Sequence, residues 1–148
     1  MEGFDKIMFD WEKAINRIDP IDVMRIVLEK HKDDIIELNQ SQLQKGVDSE
    51  GQRLKAYSSP YEKVRRKKGL QTANTDLKFE GDFYKYMYVA LGKTMGKVGS
   101  TDGKEGVLEW RYGDQIFWLT KESQELLLWE HGVAIDFKNE YIRRVKAA

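Results

Sequence analysis

The sequence predicts an α+β fold with long helices at the N-terminus, a small antiparallel sheet at about residues 83–100, and further helices at the C-terminus. Apolar residues recur at spacings of three and four over residues 1–45, which is typical of amphipathic helices. A Tyr- and Val-rich stretch alternates after Gly81-Asp82, which predicts a strand. Beyond residue 101 helical spacing returns between turn-forming residues. At 148 residues we expect one domain, divided into a helical arm or hairpin (1–45), a long basic loop excursion (46–75) and a small α+β core (76–148).

Two helices are predicted in the N-terminal segment. The first runs from about Glu2 to Arg17, with one apolar face made of Phe4, Met8, Trp11, Ile15 and Ile18. Asp19 suits the N-cap and Pro20 the first position of a second helix, which Gly46 stops after about Lys45. At 1.5 Å per residue that second helix would be roughly 39 Å long. A helix of this length either crosses the domain or extends beyond it.

Residues Val47–Thr75 have no periodicity, and they predict a surface excursion with a short helix near Tyr61–Lys67. Loops of this length in compact domains usually serve a function or contact partners. A local concentration of positive charge lies within it, made of Lys63, Arg65, Arg66, Lys67 and Lys68. A solvated face is the default interpretation of such a run; as functional residues, the five are predicted to contact an acidic protein partner or DNA phosphates. Leu54, Tyr57 and Tyr61 are the predicted anchors of the same interface.

The predicted sheet is a hairpin in which Phe83–Leu91 pairs with Lys93–Ser100 across Gly92. Because strand residues alternate between faces, the side facing the helices is expected to carry Phe83, Lys85, Met87, Val89 and Leu91. The opposite side carries Tyr84, Tyr86, Tyr88 and Ala90. Tyrosine suits a surface that becomes buried on assembly, since its ring packs while its hydroxyl finds a polar partner. Tyr86 and Tyr88 are therefore further predicted interface anchors.

Three helices are predicted after the sheet: Lys104–Tyr112 closed by Gly113, a helix from the N-cap Thr120 through Glu130, and Ala134–Lys146. In the last helix the predicted inward residues are Ile135, Tyr141, Ile142 and Val145. We interpret Trp110, Trp118 and Trp129 as core residues, with a role as interface anchors as the alternative.

No catalytic or metal-binding pattern is present in the sequence. There are no cysteines, which excludes disulfides and thiolate metal sites. The two histidines, His31 and His131, are predicted to face solvent on helices, without ligand partners at a defined spacing. Phosphate-loop and nucleophile-elbow patterns are also missing. We therefore expect no enzymatic activity, no cofactor, no metal and no small-molecule ligand.

Net charge and hydropathy limit the classes of partner that the protein is expected to have. The 25 basic residues balance 25 acidic ones, which argues against a dedicated nucleic-acid binder and removes the self-repulsion that keeps monomers apart. No apolar run approaches the roughly 20 residues that a membrane-spanning helix needs. The N-terminus lacks the apolar centre of a signal peptide. We expect a soluble protein that is made without export and has no membrane partner.

The middle of the chain, about residues 43–89, resembles a known family. It contains a Gly-x-Asp-x-x-Gly turn (Gly46, Asp48, Gly51) and a Tyr-Ser-Ser-Pro-Tyr run (57–61). A Lys-Lys-Gly (67–69) and a Gly-Asp-Phe (81–83) follow. This order is similar to that of phage virion-morphogenesis or tail-completion proteins, which join head and tail, as found in Bacteroidetes phages and prophages. Two residues depart from the family pattern: Glu80 replaces the usual Thr before the Gly, and Tyr86 replaces the usual Ser.

The resemblance implies a structural subunit of a phage neck or upper tail without catalytic residues. It implies a homo-oligomeric ring, contacts with other neck or tail proteins, and DNA passing through the lumen. The protein would then belong to the virion and be assembled in the bacterial cytoplasm. The alternative hypothesis is a small regulatory nucleic-acid-binding module that uses the basic residues of segment 63–68.

Overall fold

The computed structural model describes residues 3–148 as an α+β fold of eight α-helices and one two-stranded antiparallel sheet, as the sequence predicts. The helices are α1 (Phe4–Ile15), α2 (Pro20–Lys30), α3 (Lys32–Gln44), α4 (Ser59–Lys67), α5 (Asp82–Lys85), α6 (Glu105–Tyr112), α7 (Lys121–Trp129) and α8 (Val133–Ala147). The strands are β1 (Met87–Leu91) and β2 (Gly96–Ser100), and a 3₁₀ turn covers Asp114–Phe117. Glu2, where we predict that the first helix starts, lies outside the described residues.

The hairpin is confirmed in its pairing and is shorter than predicted. β1 and β2 pair from Met87 opposite Ser100 to Leu91 opposite Gly96. Residues 92–95 form the turn, in which the Gly92 amide donates to the Met95 carbonyl at 2.8 Å. The prediction of a strand over 83–86 is wrong, because α5 occupies most of this stretch. Gly81 precedes α5 with φ at 90°, a backbone angle that favours glycine.

The prediction of a single helix from Pro20 to Lys45 is wrong, because the helix breaks at His31. There φ is −109° and ψ is 18°, so α2 ends and α3 starts anew. The His31 ring makes hydrogen bonds with Asp34 on α3 and Asp136 on α8, which fix the break. A helix of roughly 39 Å therefore does not form, and neither crossing the domain as one helix nor extending beyond it applies.

One hydrophobic core draws on all three predicted segments. It combines Val27, Ile35, Leu38 and Leu43 from the N-terminal helices with Leu54 from the excursion and residues such as Phe83, Val89, Val98, Ile116 and Leu127 from the rest. Segment 1–45 is thus core-forming over α2 and α3, and α1 is the helix in it that buries no residue.

Polar side chains of α3 tie the core to the segment before α7. The amide nitrogen of Asn39 donates to the carbonyls of Ile116 and Trp118, at 3.1 and 2.9 Å. Gln42 donates to Trp118 at 2.7 Å and accepts from the Thr120 amide at 2.8 Å. These contacts satisfy backbone groups that would otherwise be buried unpaired, which carries a free-energy cost.

The short helix predicted in the excursion and the three C-terminal helices are confirmed within one to two residues. Thr120 caps α7 as predicted, with its hydroxyl accepting from the Ser123 amide at 3.1 Å. The predicted inward face of α8 is wrong for Ile135 and Ile142, which are exposed. Val133 is instead the buried residue of α8.

Candidate interaction site

α1 leaves its apolar face uncovered. The face, called here the α1 face, consists of Phe4, Ile7, Met8, Trp11 and Ile15, which lie on one side at helical spacing. Phe4 is 74% exposed and Trp11 is 61% exposed. Among the described elements α1 contacts chiefly α8, yet none of its residues is buried. Monomeric proteins rarely leave such contiguous apolar surface in water, and larger patches mark interaction sites.

Acidic residues border the α1 face. With 3.6 residues per turn, Asp5 and Glu12 lie along one edge and Asp10 along the other. Lys6 and Lys13 lie on the back of the helix. A partner surface that covers the α1 face would therefore be apolar at its centre and would meet negative charge at its edges.

Two tryptophans are also exposed. Trp110 on α6 is 86% exposed and Trp129 on α7 is 70% exposed, so the interpretation of both as core residues is wrong. Trp118 packs partly buried against the core. Trp is among the residues enriched at interface hot spots, which favours the anchor role that the sequence left as the alternative.

Arg65, predicted to contact a partner, is instead a core residue. Its side chain is 1% exposed, and its guanidinium donates to the carbonyls of Gln71 and Lys78 and to the Asp76 carboxylate, at 3.1, 2.8 and 3.1 Å. The guanidinium also lies over the Tyr57 ring, 4.4 Å from its centre. The prediction that Arg65 binds a partner is wrong, because its side chain is buried and each of its three guanidinium nitrogens donates within this chain.

The other four basic residues of the segment, Lys63, Arg66, Lys67 and Lys68, are exposed on or beside α4. Arg66 pairs with Glu62, four residues earlier. The Lys68 ammonium lies 4.7 Å from the centre of the Phe79 ring. These four residues remain predicted partner contacts. Two of them, Arg66 and Lys68, already interact with Glu62 and Phe79 of this chain.

The predicted anchors of the excursion occupy different environments. Leu54 is buried in the core, so its assignment as an interface anchor is wrong. Tyr57 is half-buried, its hydroxyl donates to the Asp76 carboxylate at 2.9 Å, and burial raises the pKa of that hydroxyl. Tyr61 is exposed, and its ring and that of Tyr57 pack edge-to-face with their centres 5.3 Å apart. Of the three, Tyr61 remains available to a partner.

On the hairpin, Tyr86 and Tyr88 are exposed, so both remain available as predicted anchors. The Tyr88 ring lies across Gly99 on β2, where a Cβ atom would approach the ring to 2.7 Å. Tyr84 does not share their face: it is buried and its hydroxyl donates to the Asp76 carbonyl. The reason is the helical turn of α5, which rotates residues 83–86 out of strand alternation.

A cluster of two histidines and two carboxylates joins the break between α2 and α3 to the start of α8. His31 is buried, with Nδ1 2.7 Å from Asp34 and Nε2 2.6 Å from Asp136. His131 Nδ1 lies 3.0 Å from the other oxygen of Asp34. The expectation that both histidines face solvent is wrong for His31. The His31–Asp34 spacing of three was the available signal, since such pairs meet on a helix, whereas Asp136 and His131 are remote in sequence.

The charge state of His31 follows from its contacts. Carboxylates only accept, so a ring that bonds one through each nitrogen carries both protons. Burial alone would lower the pKa of His31, but the hydrogen bonds to Asp136 and Asp34 outweigh it and raise that pKa. The hydrogen bond from His31 lowers the pKa of Asp34, against the effect of burial. The cluster is a partly buried ion network that joins the break between α2 and α3 to the start of α8.

Within residues 3–148, no group of three or more His, Asp or Glu side chains is arranged to hold a metal ion. Over the same residues, no helix is both long and apolar enough to span a bilayer.

Compared with known proteins, the chain matches no family model, no curated protein and no solved structure. The resemblance of residues 43–89 to the phage family therefore stays a prediction.

Proposed function

We propose that the protein is a structural subunit that acts by assembling with further copies of itself, as a ring at a phage neck or upper tail. The observation that carries the proposal is the α1 face, because no residue of α1 is buried and the Phe4 and Trp11 side chains stay largely exposed although α1 contacts α8. Burying the exposed parts of these two side chains, 74% and 61% of their surface, removes about 200 to 340 Å² from water, roughly a third of the ~800 Å² that one partner contributes to a standard interface.

Net charge supports self-association. The chain has 25 basic and 25 acidic residues, so two copies approach without net repulsion. Trp110 and Trp129 add exposed anchors on α6 and α7, away from α1 in the sequence. A subunit of a ring needs two distinct contact surfaces, because a head-to-tail contact joins different patches of successive copies.

The narrower proposal, a place in the phage neck or tail, rests on the resemblance of residues 43–89. In this role the protein would bind other neck or tail proteins and surround the DNA, without catalysis. Negative-stain images of the purified protein test whether it forms the ring that this role requires. Closed rings of one size are the expected result, and monomers or open filaments contradict it.

Nucleic-acid binding through α4 is the second candidate, favoured by the exposed Lys63, Lys67 and Lys68. Counterion release would make such binding fall steeply with salt. Retention on a DNA column at low salt that Lys63→Ala, Lys67→Ala and Lys68→Ala together abolish would favour this candidate. Retention unchanged by the triple substitution would contradict it.

A further inference from the structure

A groove on the surface combines an apolar lining with basic charged residues. It is an open depression of about 470 Å³ between α2, the hairpin turn and α8. Its apolar lining includes Ile21, Met24, Leu28, Met95, Trp118 and Phe137. Ile21 and Met95 are exposed although apolar, so the groove is unfilled in the single chain. Methionine side chains adapt their shape to a partner, and an apolar groove is a usual receptor for an amphipathic helix.

The charge of the groove lining indicates which kind of helix face would bind in it. The charged residues that line the groove are Arg25 and Lys93, both basic. Arg25 is paired with Asp22 at 2.7 Å, whereas no carboxylate of residues 3–148 lies within 4.0 Å of the Lys93 ammonium. An apolar helix face with acidic edges therefore fits the groove, and the α1 face has such edges in Asp5, Glu12 and Asp10.

We propose that the groove receives the α1 face of a second copy of this chain, an inference that rests on the proposed self-assembly. The chain's own α1 does not fill it, because no residue of α1 lines the groove and the α1 face is exposed. Each copy carries both the helix and the groove, which are different surfaces. A contact between two different surfaces can repeat head-to-tail from copy to copy, and repeated contacts of this kind close into a ring when the rotation allows.

The absence of cysteine permits a direct test, since each introduced thiol is the sole one in its chain. Met8→Cys places a thiol on the α1 face and Met95→Cys places one at the groove; both positions are exposed, so folding is expected to persist. The two variants, with tags of different mass, are mixed and treated with a bifunctional thiol cross-linker. The expected product is a mixed dimer on a denaturing gel. Lys13→Cys, on the back of α1, replaces Met8→Cys in the control and should give at least about fivefold less product.

A mixed dimer that is equally abundant with Lys13→Cys, or absent with Met8→Cys, overturns the assignment of the groove. A chain carrying both Met8→Cys and Met95→Cys that cross-links only within itself also overturns it, because α1 then fills its own groove. The mass of the protein without cross-linker distinguishes a failure of the proposed groove contact from a failure of self-assembly itself. An oligomer without the cross-link leaves self-assembly standing, whereas a monomer at all concentrations ends both.

A charge variant provides an independent check. Lys93→Glu brings a negative charge to the groove opposite the acidic edges of α1, and like charges across an interface oppose binding, so the association constant should fall by about fivefold or more. Lys121→Glu, on the exposed first turn of α7 away from the groove, is the matched control and should leave association unchanged. Equal effects of both variants would contradict a specific role for Lys93.

Discussion

Nε2 of His31 lies 2.6 Å from Oδ2 of Asp136, and this contact joins the break between α2 and α3 to the first turn of α8. The two residues are 105 positions apart in the sequence. Together with Asp34 and His131, they hold the break between α2 and α3 against the junction of α7 and α8. The break at His31 is thus a junction of the fold and the point at which the predicted long helix becomes two.

The cluster predicts that stability falls as the pH rises. The pKa of His31 is raised above its ordinary 6.5, so its contribution is fully present below that value and is lost as the pH rises through the raised pKa. The lowered pKa of Asp34 acts in the opposite sense, with its contribution lost only as the pH falls through a value below 3.8. Urea unfolding between pH 5.5 and 8.5 should show a decline that His31→Gln flattens. An unchanged decline in that variant would show that another group is responsible.

Arg65 predicts a large loss of stability on substitution. Arg65→Ala leaves the Asp76 carboxylate buried without its cation, and breaking a buried ion pair in this way costs about 3–5 kcal/mol. Lys67→Ala, on the exposed side of the same helix, should change the free energy of unfolding by less than about 0.5 kcal/mol. Urea titration measures both. A similar small loss in the two variants would show that the Arg65 network contributes little.

The contrast between Arg65 and its neighbours shows where the sequence stops being informative. Caps and turns follow from local chemistry, as Thr120 and Gly113 illustrate, and the spans of α4, α6, α7 and α8 are predicted within one or two residues. Burial of Arg65 depends on Asp76 and on the carbonyls of Gln71 and Lys78, which chain folding brings together. The break at His31 depends likewise on Asp136. The α1 face was predicted as apolar, but its lack of a partner within the chain is visible only in three dimensions.

Gly46 and Gly51 both lie in the motif that resembles the phage family. We expect alanine to lower the stability of the protein by different amounts at the two positions. Both have positive φ, 76° and 77°, a region that costs L-residues roughly 1–2 kcal/mol. At Gly46 a Cβ atom would also lie 2.8 Å from the Asn74 side-chain nitrogen, while at Gly51 nothing lies within 4 Å. Gly46→Ala should therefore lower the thermal midpoint more than Gly51→Ala does. Equal shifts would mean that backbone strain alone decides.

The tyrosines of the hairpin region separate folding from association. Tyr84→Ser removes a buried ring, and large-to-small core substitutions of aromatic residues cost about 3–5 kcal/mol. Tyr86→Ser combined with Tyr88→Ser removes exposed rings and should keep the monomer folded while weakening association. Circular dichroism follows folding, and sedimentation follows association. Unfolding of the double variant would show that its rings support the hairpin instead of a partner.

Self-assembly through α1 is tested most directly by the mass of the protein in solution, measured by light scattering over a range of concentrations. The wild-type protein should have the mass of several 17.3 kDa chains. Trp11→Asp should have the mass of one chain with unchanged helical content, because the Trp11 side chain is 61% exposed in the monomer. Lys13→Asp places a carboxylate on the back of α1 and changes the net charge by more than Trp11→Asp does, yet it should keep the wild-type mass. A wild-type protein that stays at 17.3 kDa throughout, or a Trp11→Asp variant that keeps the oligomer, contradicts the account.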